Sequence, residues 1–338
     1  MLISLCIPTF SRASMLAELL ESIIGQHVAF DLFEVIVSDD ASHDNTLACL
    51  ETYQAKLPNL RVLSQSNNIG FDRNCLAVAA EARAAYLWFL GDDDRLELGA
   101  LASVIQAIKD YPDIAGMTLG SIDHDSQLKE ITGIKFLPPT GLMHSADEVF
   151  STIGDLLGFI STLVIHRETW NSVCHEAPIH YYFKLYVQVY IIGKVLQRKP
   201  LWLVFNHPCI GYRSDNDQFI KSLGSYDRLA ADVVAYHAIS ADLFGVSSKT
   251  TRAFESRIFN THIRSRLING KVQGLVSGNV KKEIKLLYGH YYWLPAFWLI
   301  GLPVLLTPRF LMVKLRKFYQ TFIPFSGAQR AKKLSANA

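Results

Sequence analysis

The chain has no paired cysteines, no marked excess of charge and no low-complexity sequence. Its five cysteines (Cys6, Cys49, Cys75, Cys174 and Cys209) are scattered, and no C-x-x-C pair occurs. That spacing suggests neither a zinc site nor a disulfide framework and fits a reducing, cytoplasmic setting. The formal net charge is +2, which argues neither for nucleic acid nor against it. No basic n-region precedes the first apolar run, "MLISLCIPTF", and Pro8 cuts it. The run therefore reads as a first strand, not a signal peptide, and the body of the protein is expected in the cytoplasm. Mean hydropathy is +0.17, high for a soluble enzyme and low for a polytopic membrane protein. No internal repeat is visible.

What is present is alternation. The 338 residues suffice for one large domain or two smaller ones. "ISLCIPT" (Ile3–Thr9), "FEVIVS" (Phe33–Ser38), "LRVLS" (Leu60–Ser64) and "AYLWFL" read as short apolar strands. Between them, Leu16, Leu19, Leu20, Ile23 and Ile24 recur at helical spacing, and 44–54 and 72–84 also read as helices. Strands alternating with helices predict a parallel α/β sheet covered on both faces. Further on, 114–122, 158–165 and "LWLVFN" read as strands, 181–196 as a buried helix, and "GYRSDNDQF" as a polar loop. From about Ser222 the reading is helical.

In such sheets, ligands bind beyond the carboxyl ends of the strands. Pro8-Thr9, Asp39-Asp40, Asn67-Asn68 and the adjacent Asp92, Asp93 and Asp94 all fall at those ends. Adjacent carboxylates repel, so a positive partner is required. Asp94 alone would serve as a cap for "RLELGALASVIQAI", but a cap does not explain three acids. A hard cation, Mg²⁺ or Mn²⁺, held by one or two carboxylates and substrate phosphates does. "NNIGFDRN" adds Gly70 for close backbone approach and Arg73 for charge. Each of these residues taken singly reads as a cap, a turn or a surface side chain. Together they read as a pocket for a nucleotide diphosphate.

"CIPTFSR", "EVIVSDDASHDNT", "NNIGFDRN" and "FLGDDD" resemble, in order and spacing, the successive motifs of family 2 glycosyltransferases with the GT-A fold. "GFISTLVIHRETW" and "YRSDNDQF" extend the resemblance to the abequosyltransferases of bacterial O-antigen synthesis. The resemblance implies a mostly parallel GT-A sheet flanked by helices over residues 1–220, followed by a helical region, 221–338. It implies that Pro8, Thr9 and Asp39 hold the nucleoside and that Arg73 lies near the base or diphosphate. Asp93 would touch the ribose, and Asp94, assisted by Asp92, would ligate Mg²⁺ or Mn²⁺. Family members often read D-x-D-D here, whereas this chain has Gly91 at the first position.

The family usually places its catalytic base in a Glu-Asp pair at a helix start in the second half. "EAPIHYYFKLYVQV" has no such pair. Glu176, His180, Asp215 and Asp217 are the candidates; Asp215 reads as part of the site without an assigned proton transfer, with Arg213 beside it as a diphosphate clamp. The end of the chain supplies "YYWLPAFWLIGLPVLL", then Arg309, Lys314, Arg316 and Lys317 among apolar residues, with Arg330, Lys332 and Lys333 beyond and no acid after Thr307. A basic amphipathic helix beside an apolar wedge reads as an anchor on the inner face of the plasma membrane.

The expected partners are a nucleotide-sugar donor, a lipid-linked glycan acceptor and the cytoplasmic membrane surface, and no nucleic acid. The donor sugar implied is a deoxy- or dideoxyhexose. Two other readings remain. A catalytically inactive assembly subunit would keep fold and anchor. A sugar-nucleotide pyrophosphorylase would want a glycine-rich loop after the first strand, where "PTFSRAS" has none.

Overall fold

The computed structural model describes residues 1–135, 137–176, 178–183, 186–214, 216, 224–275 and 280–322, the last with side chains to 318. Two compact units emerge: Met1–Val149 with Leu156–Asn216, and Phe150–Asp155 with Asp217–Arg330.

The first unit is a ten-stranded mixed sheet with helices on both faces. In chain order its elements are β1 (Ile3–Thr9), α1 (Ala13–Ile24), β2 (Phe33–Asp39), α2 (Thr46–Gln54), β3 (Leu60–Ser64), α3 (Phe71–Ala80), β4 (Tyr86–Phe89), β5 (Arg95–Leu96), α4 (Ala100–Asp110), β6 (Gly116–His124), β7 (Ile131–Ile134), β8 (Gly141–Met143), α5 (Ala146–Ile153), β9 (Leu163–His166), α6 (Arg167–Glu176), α7 (Val187–Arg198) and β10 (Trp202–Arg213). The order across the sheet is β3-β2-β1-β4-β9-β6-β10-β5, with β7 on β6 and β8 on β10.

Strands β3, β2, β1 and β4 are parallel. β9 is antiparallel to both β4 and β6, and β6 is parallel to β10. The carboxyl ends of β1, β2, β4, β6 and β10 therefore share one edge. The first two strands are buried at every position, as a sheet covered on both faces requires, which is why they read as unbroken apolar runs. Ile3, Leu5 and Ile7 pack with Val35, Val37 and Trp88 against Leu16, Leu19 and Leu20 of α1 and Leu101, Val104 and Ile108 of α4. Burying each such side chain contributes about 1.5–3 kcal/mol.

Two local expectations are corrected. The helix expected directly behind Asp94 begins only at Ala100, after Gly99 at φ +75°. Arg95–Leu96 instead pairs as a strand with Ile210–Gly211, so Asp94 caps nothing. The strand expected over 158–165 begins as a single 3₁₀ turn, Ile160–Thr162, and extends only from Leu163.

The second unit is helical. Its helices are Ser225–Phe244, Lys249–Ile258, Arg264–Gln273, Val280–Tyr291, Leu302–Leu306 and Arg309–Phe322, with π-helical turns at Phe259–Ile263 and Phe297–Gly301. Aromatic edges hold its core: Phe254 meets Phe150 and Tyr236 at 5.2 and 5.7 Å, and Phe259 meets Tyr291 at 5.0 Å.

Candidate active site

The site edge is built from strand ends. Thr9 closes β1 opposite Asp39 of β2. Both are buried, and the Thr9 hydroxyl donates to Asp92 Oδ2 at 2.7 Å. Asp39 accepts from the Ser42 backbone N–H at 3.3 Å and from the Ser42 hydroxyl. Asp40 accepts from the N–H groups of Ile69 and Gly70, at 2.7 and 3.0 Å. This pins the "NNIG" loop to the end of β2. Gly70 itself has φ +85° and open space where a side chain would stand. Arg73, in the first turn of α3, is exposed, with its guanidinium 4.9 Å from the centre of the Phe183 ring.

The three acids divide sharply. Asp92 is buried, and Arg12 Nη1 lies 2.6 Å from its Oδ1. With Thr9 on the other oxygen, Asp92 is occupied within the protein. Its positive partner is Arg12. Asp93 lies 3.3 Å from the same guanidinium nitrogen and accepts from Asn216 Nδ2 at 2.6 Å. Asp94 is 2% exposed and has no ion pair among the described residues. It accepts from the Ser161 hydroxyl at 2.5 Å and from the Arg213 N–H at 3.2 Å. Burial, and then the charge of Asp93, push the Asp94 carboxyl up to about 8. Burial also pushes Asp92 up, to about 6, with Arg12 pulling it back.

Gly91 explains the departure from the four-residue acidic pattern. A Cβ there would stand 3.1 Å from Asp93 Oδ1 and 3.2 Å from both Asp94 Oδ2 and Ser161 Oγ. The missing side chain lets Ser161 reach in, accept the Gly91 N–H at 2.9 Å and hold Asp94. Ser161 is itself fixed, because its carbonyl accepts from the buried Trp88 indole at 2.9 Å.

Arg213, expected as a diphosphate clamp, is bonded within the protein. It is 4% exposed, and its guanidinium donates to the Asp93 and Ser126 carbonyls at 2.8 and 2.9 Å and to the Glu18 carboxylate. It ties β10 and α1 to the acidic loop and has no freedom to reach outward. Glu176 does not join the acids either. It is exposed at the end of α6, bonded to Ser172 and ion-paired with Arg198 at 2.9 Å. Asp215 and Asp217 lie outside the described residues. Arg12, Ser161 and Asn216 were missed from sequence. Only Arg12 carried a signal, as a cation three residues past Thr9 at the acidic edge.

Among the described residues no three His, Cys, Asp or Glu side chains gather to enclose a cation. The donor set fits a hard divalent ion of the Mg²⁺ or Mn²⁺ kind, which takes one or two carboxylates from protein and the rest of its shell from phosphate and water. Asp94, desolvated beside Asp93, is the carboxylate that a positive charge would relieve.

A family model described as "Glycosyl transferase family 2" matches residues 4–158. The chain is 30% identical over 275 residues to "Abequosyltransferase RfbV" of Salmonella typhimurium, covering 76% of this chain and 79% of that protein. It is 33% identical over 134 residues to "GalNAc(5)-diNAcBac-PP-undecaprenol beta-1,3-glucosyltransferase" of Campylobacter jejuni, covering 39% and 42%. In fold it is similar to Staphylococcus aureus TarS 1–349 in complex with UDP-GlcNAc. There the TM-score is 0.61 at 16% identity, over 87% of this chain and 82% of that one. It is also similar to mannosyltransferase PcManGT of Pyrobaculum calidifontis in complex with GDP-Man and Mn²⁺. That TM-score is 0.53 at 12% identity, over 94% and 87%.

Proposed function

The chain belongs to glycosyltransferase family 2, and from that premise we propose that it moves a sugar from a nucleotide-diphosphate donor to a hydroxyl of a lipid-linked glycan. It is a glycosyltransferase of O-antigen or surface-polysaccharide synthesis. The observation that carries the finer reading is Asp94, a buried carboxylate without an ion pair among the described residues, fixed at the carboxyl edge of the mixed sheet.

In this reading Pro8, Thr9 and Asp39 hold the nucleoside, Asp93 meets the ribose, and Arg73 lies near the base or diphosphate. Asp94, with Asp93, would hold Mg²⁺ or Mn²⁺, which supplies positive charge to the departing phosphate oxygens. The protein's own part is positional. Ser161 and the Arg213 N–H orient Asp94, and Arg12 neutralises Asp92 so that Asp94 is left to bind. The likeness to an abequosyltransferase supports a deoxy- or dideoxyhexose donor, and the undecaprenol-linked substrate in the Campylobacter relative's name supports a lipid-borne acceptor.

Such an acceptor lies at the inner face of the plasma membrane. Trp298, Leu299, Leu306, Phe310, Leu315 and Phe318 are exposed on the last helices, beside Lys314 and Lys317. No single described helix is long and apolar enough to cross a membrane. Phe297–Leu306 and Arg309–Phe318 would qualify only together, across a bend of 120°. Large exposed apolar side chains beside lysines suit the membrane interface.

The test incubates purified protein with Mn²⁺ and UDP-, CDP-, GDP- or dTDP-sugars, reading nucleotide release and melting temperature. Asp94→Ala abolishes both the Mn²⁺-dependent melting shift and release. Turnover unaffected by that substitution refutes the metal assignment. Binding without turnover, even with membrane lipid extract, supports the inactive-subunit reading.

A further inference from the structure

With Glu176 engaged at the surface, no described residue so far takes the proton from the attacking hydroxyl. The geometry points to Asp123, near the carboxyl end of β6, as that general base. The inference rests on the donor-binding reading above.

Asp123 is the register partner of Tyr212 in β10, one residue before Arg213, whose N–H holds Asp94 Oδ1 at 3.2 Å. On its other side Asp123 pairs with Gly133 of β7, where a Cβ would stand 3.2 Å from Asp123 Oδ2. A glycine at this position leaves room for the carboxylate. The Lys135 ammonium lies 4.1 Å from the centre of the Phe159 ring and 4.9 Å from that of Tyr212, and these two rings meet edge to face at 5.2 Å. Phe159 is two residues from Ser161, the other partner of Asp94. Asp123 and Asp94 thus border one cluster, and the positive charge of Lys135 acts on both carboxyls.

One carboxylate oxygen is unsatisfied. Asp123 Oδ1 is buried, and nothing among the described residues hydrogen-bonds to it. Such an atom costs stability and calls for an explanation, and a catalytic role is one. Burial raises the Asp123 carboxyl, with Lys135 and then His124, the charged groups that face it, drawing it back down. That direction brings a carboxylate toward the strength a base needs near neutral pH.

In the proposed step the acceptor O–H bond breaks, and its proton passes to the Asp123 carboxylate. The freed oxygen pair forms the new bond to the anomeric carbon. The bond from that carbon to the terminal phosphate oxygen breaks, and its electron pair leaves with the nucleoside diphosphate. The carboxylic acid then returns its proton to water.

The experiment uses the full chain with Mn²⁺ and the same panel of sugar nucleotides, with water or membrane lipid extract supplying the hydroxyl. Asp123→Asn is expected to slow nucleotide release by about a hundredfold or more, within the range typical of general-base loss. Its Mn²⁺- and nucleotide-dependent melting shift stays that of the wild type, and the acid limb of the pH–rate profile is lost. Formate restores part of the rate to Asp123→Ala, which also serves where the Asn variant does not fold. A rate for either variant within about threefold of wild type, against the hundredfold loss expected of a base, overturns the assignment. So does an acid limb that the substitution does not move. If the wild type shows no melting shift with any sugar nucleotide, the donor-binding reading fails, and the role of Asp123 fails with it. A shift in the wild type with undiminished release in the variants overturns the base alone.

Discussion

Replacing Ser161 with alanine removes one hydroxyl that serves two buried groups. Its donated bond to Asp94, at 2.5 Å, runs to a carboxyl pushed up to about 8 and so largely protonated near neutrality. Its accepted bond satisfies the Gly91 N–H at 2.9 Å. A bond to a neutral group contributes about 0.5–1.5 kcal/mol, and a stranded buried N–H costs about 1–3 kcal/mol more. Taking the middle of each range, a total of about 3 kcal/mol is expected. For a unit of this size that lowers the melting temperature by about 6–12 °C. The control is Thr162→Ala, which deletes a neutral bond to the Phe159 carbonyl at 2.9 Å. It should cost about 1 kcal/mol. Scanning fluorimetry without ligand measures both, and a titration with Mn²⁺ and nucleotide follows the binding consequence. If Ser161→Ala melts within about 2 °C of wild type, less than 1 kcal/mol on this scale, Ser161 does not hold the acidic loop and the reasoning fails.

Arg12→Ala strands a buried Asp92. Breaking such a pair costs about 3–5 kcal/mol, and the part-exposed arginine places the loss near 3; unchanged urea unfolding would refute the pairing. In the helical unit, the hydrogen bond to Glu255 at 2.6 Å raises His237, against the opposing effect of burial. A raised histidine stabilises fully below its unfolded pKa, and the gain disappears as pH rises through the folded one. The melting gap between wild type and His237→Gln should therefore be wide at pH about 5.5 and narrow at about 8.5, on either side of the ordinary histidine value; a constant gap contradicts the shift. If the last helices dock on a membrane as proposed, Trp298→Ser and Phe310→Ser should each weaken cosedimentation with anionic phosphatidylglycerol vesicles about tenfold or more, since burying a large apolar side chain contributes about 1.5–3 kcal/mol. Binding equal to wild type would remove that face from consideration.

How far the sequence is legible depends on where each segment finds its partner. Ile3–Thr9 is readable locally because every position is buried and apolar. Arg95–Leu96 is not, because its partner, Ile210–Gly211, lies more than a hundred residues away, and local periodicity continues the next helix straight through it. The polar look of "GYRS" conceals a strand for the same reason: Arg213 reads as solvent-facing but is buried among carbonyls and a carboxylate. At the site, the acids at the strand ends are visible as a charge conflict that demands a cation. The sequence alone could not say that the protein answers part of that demand with Arg12 and, of the three adjacent acids, leaves Asp94 without an ion pair among the described residues.

Gly91 constrains what this lineage can become. An acidic side chain at this position would bring a new carbon to within 3.1–3.2 Å of three oxygens, two of them from acids. For a side chain to fit, Ser161 and the two carboxylates would each have to give way slightly. Glycine at 91 and serine at 161 therefore act as a matched pair, and a change at one is felt at the other.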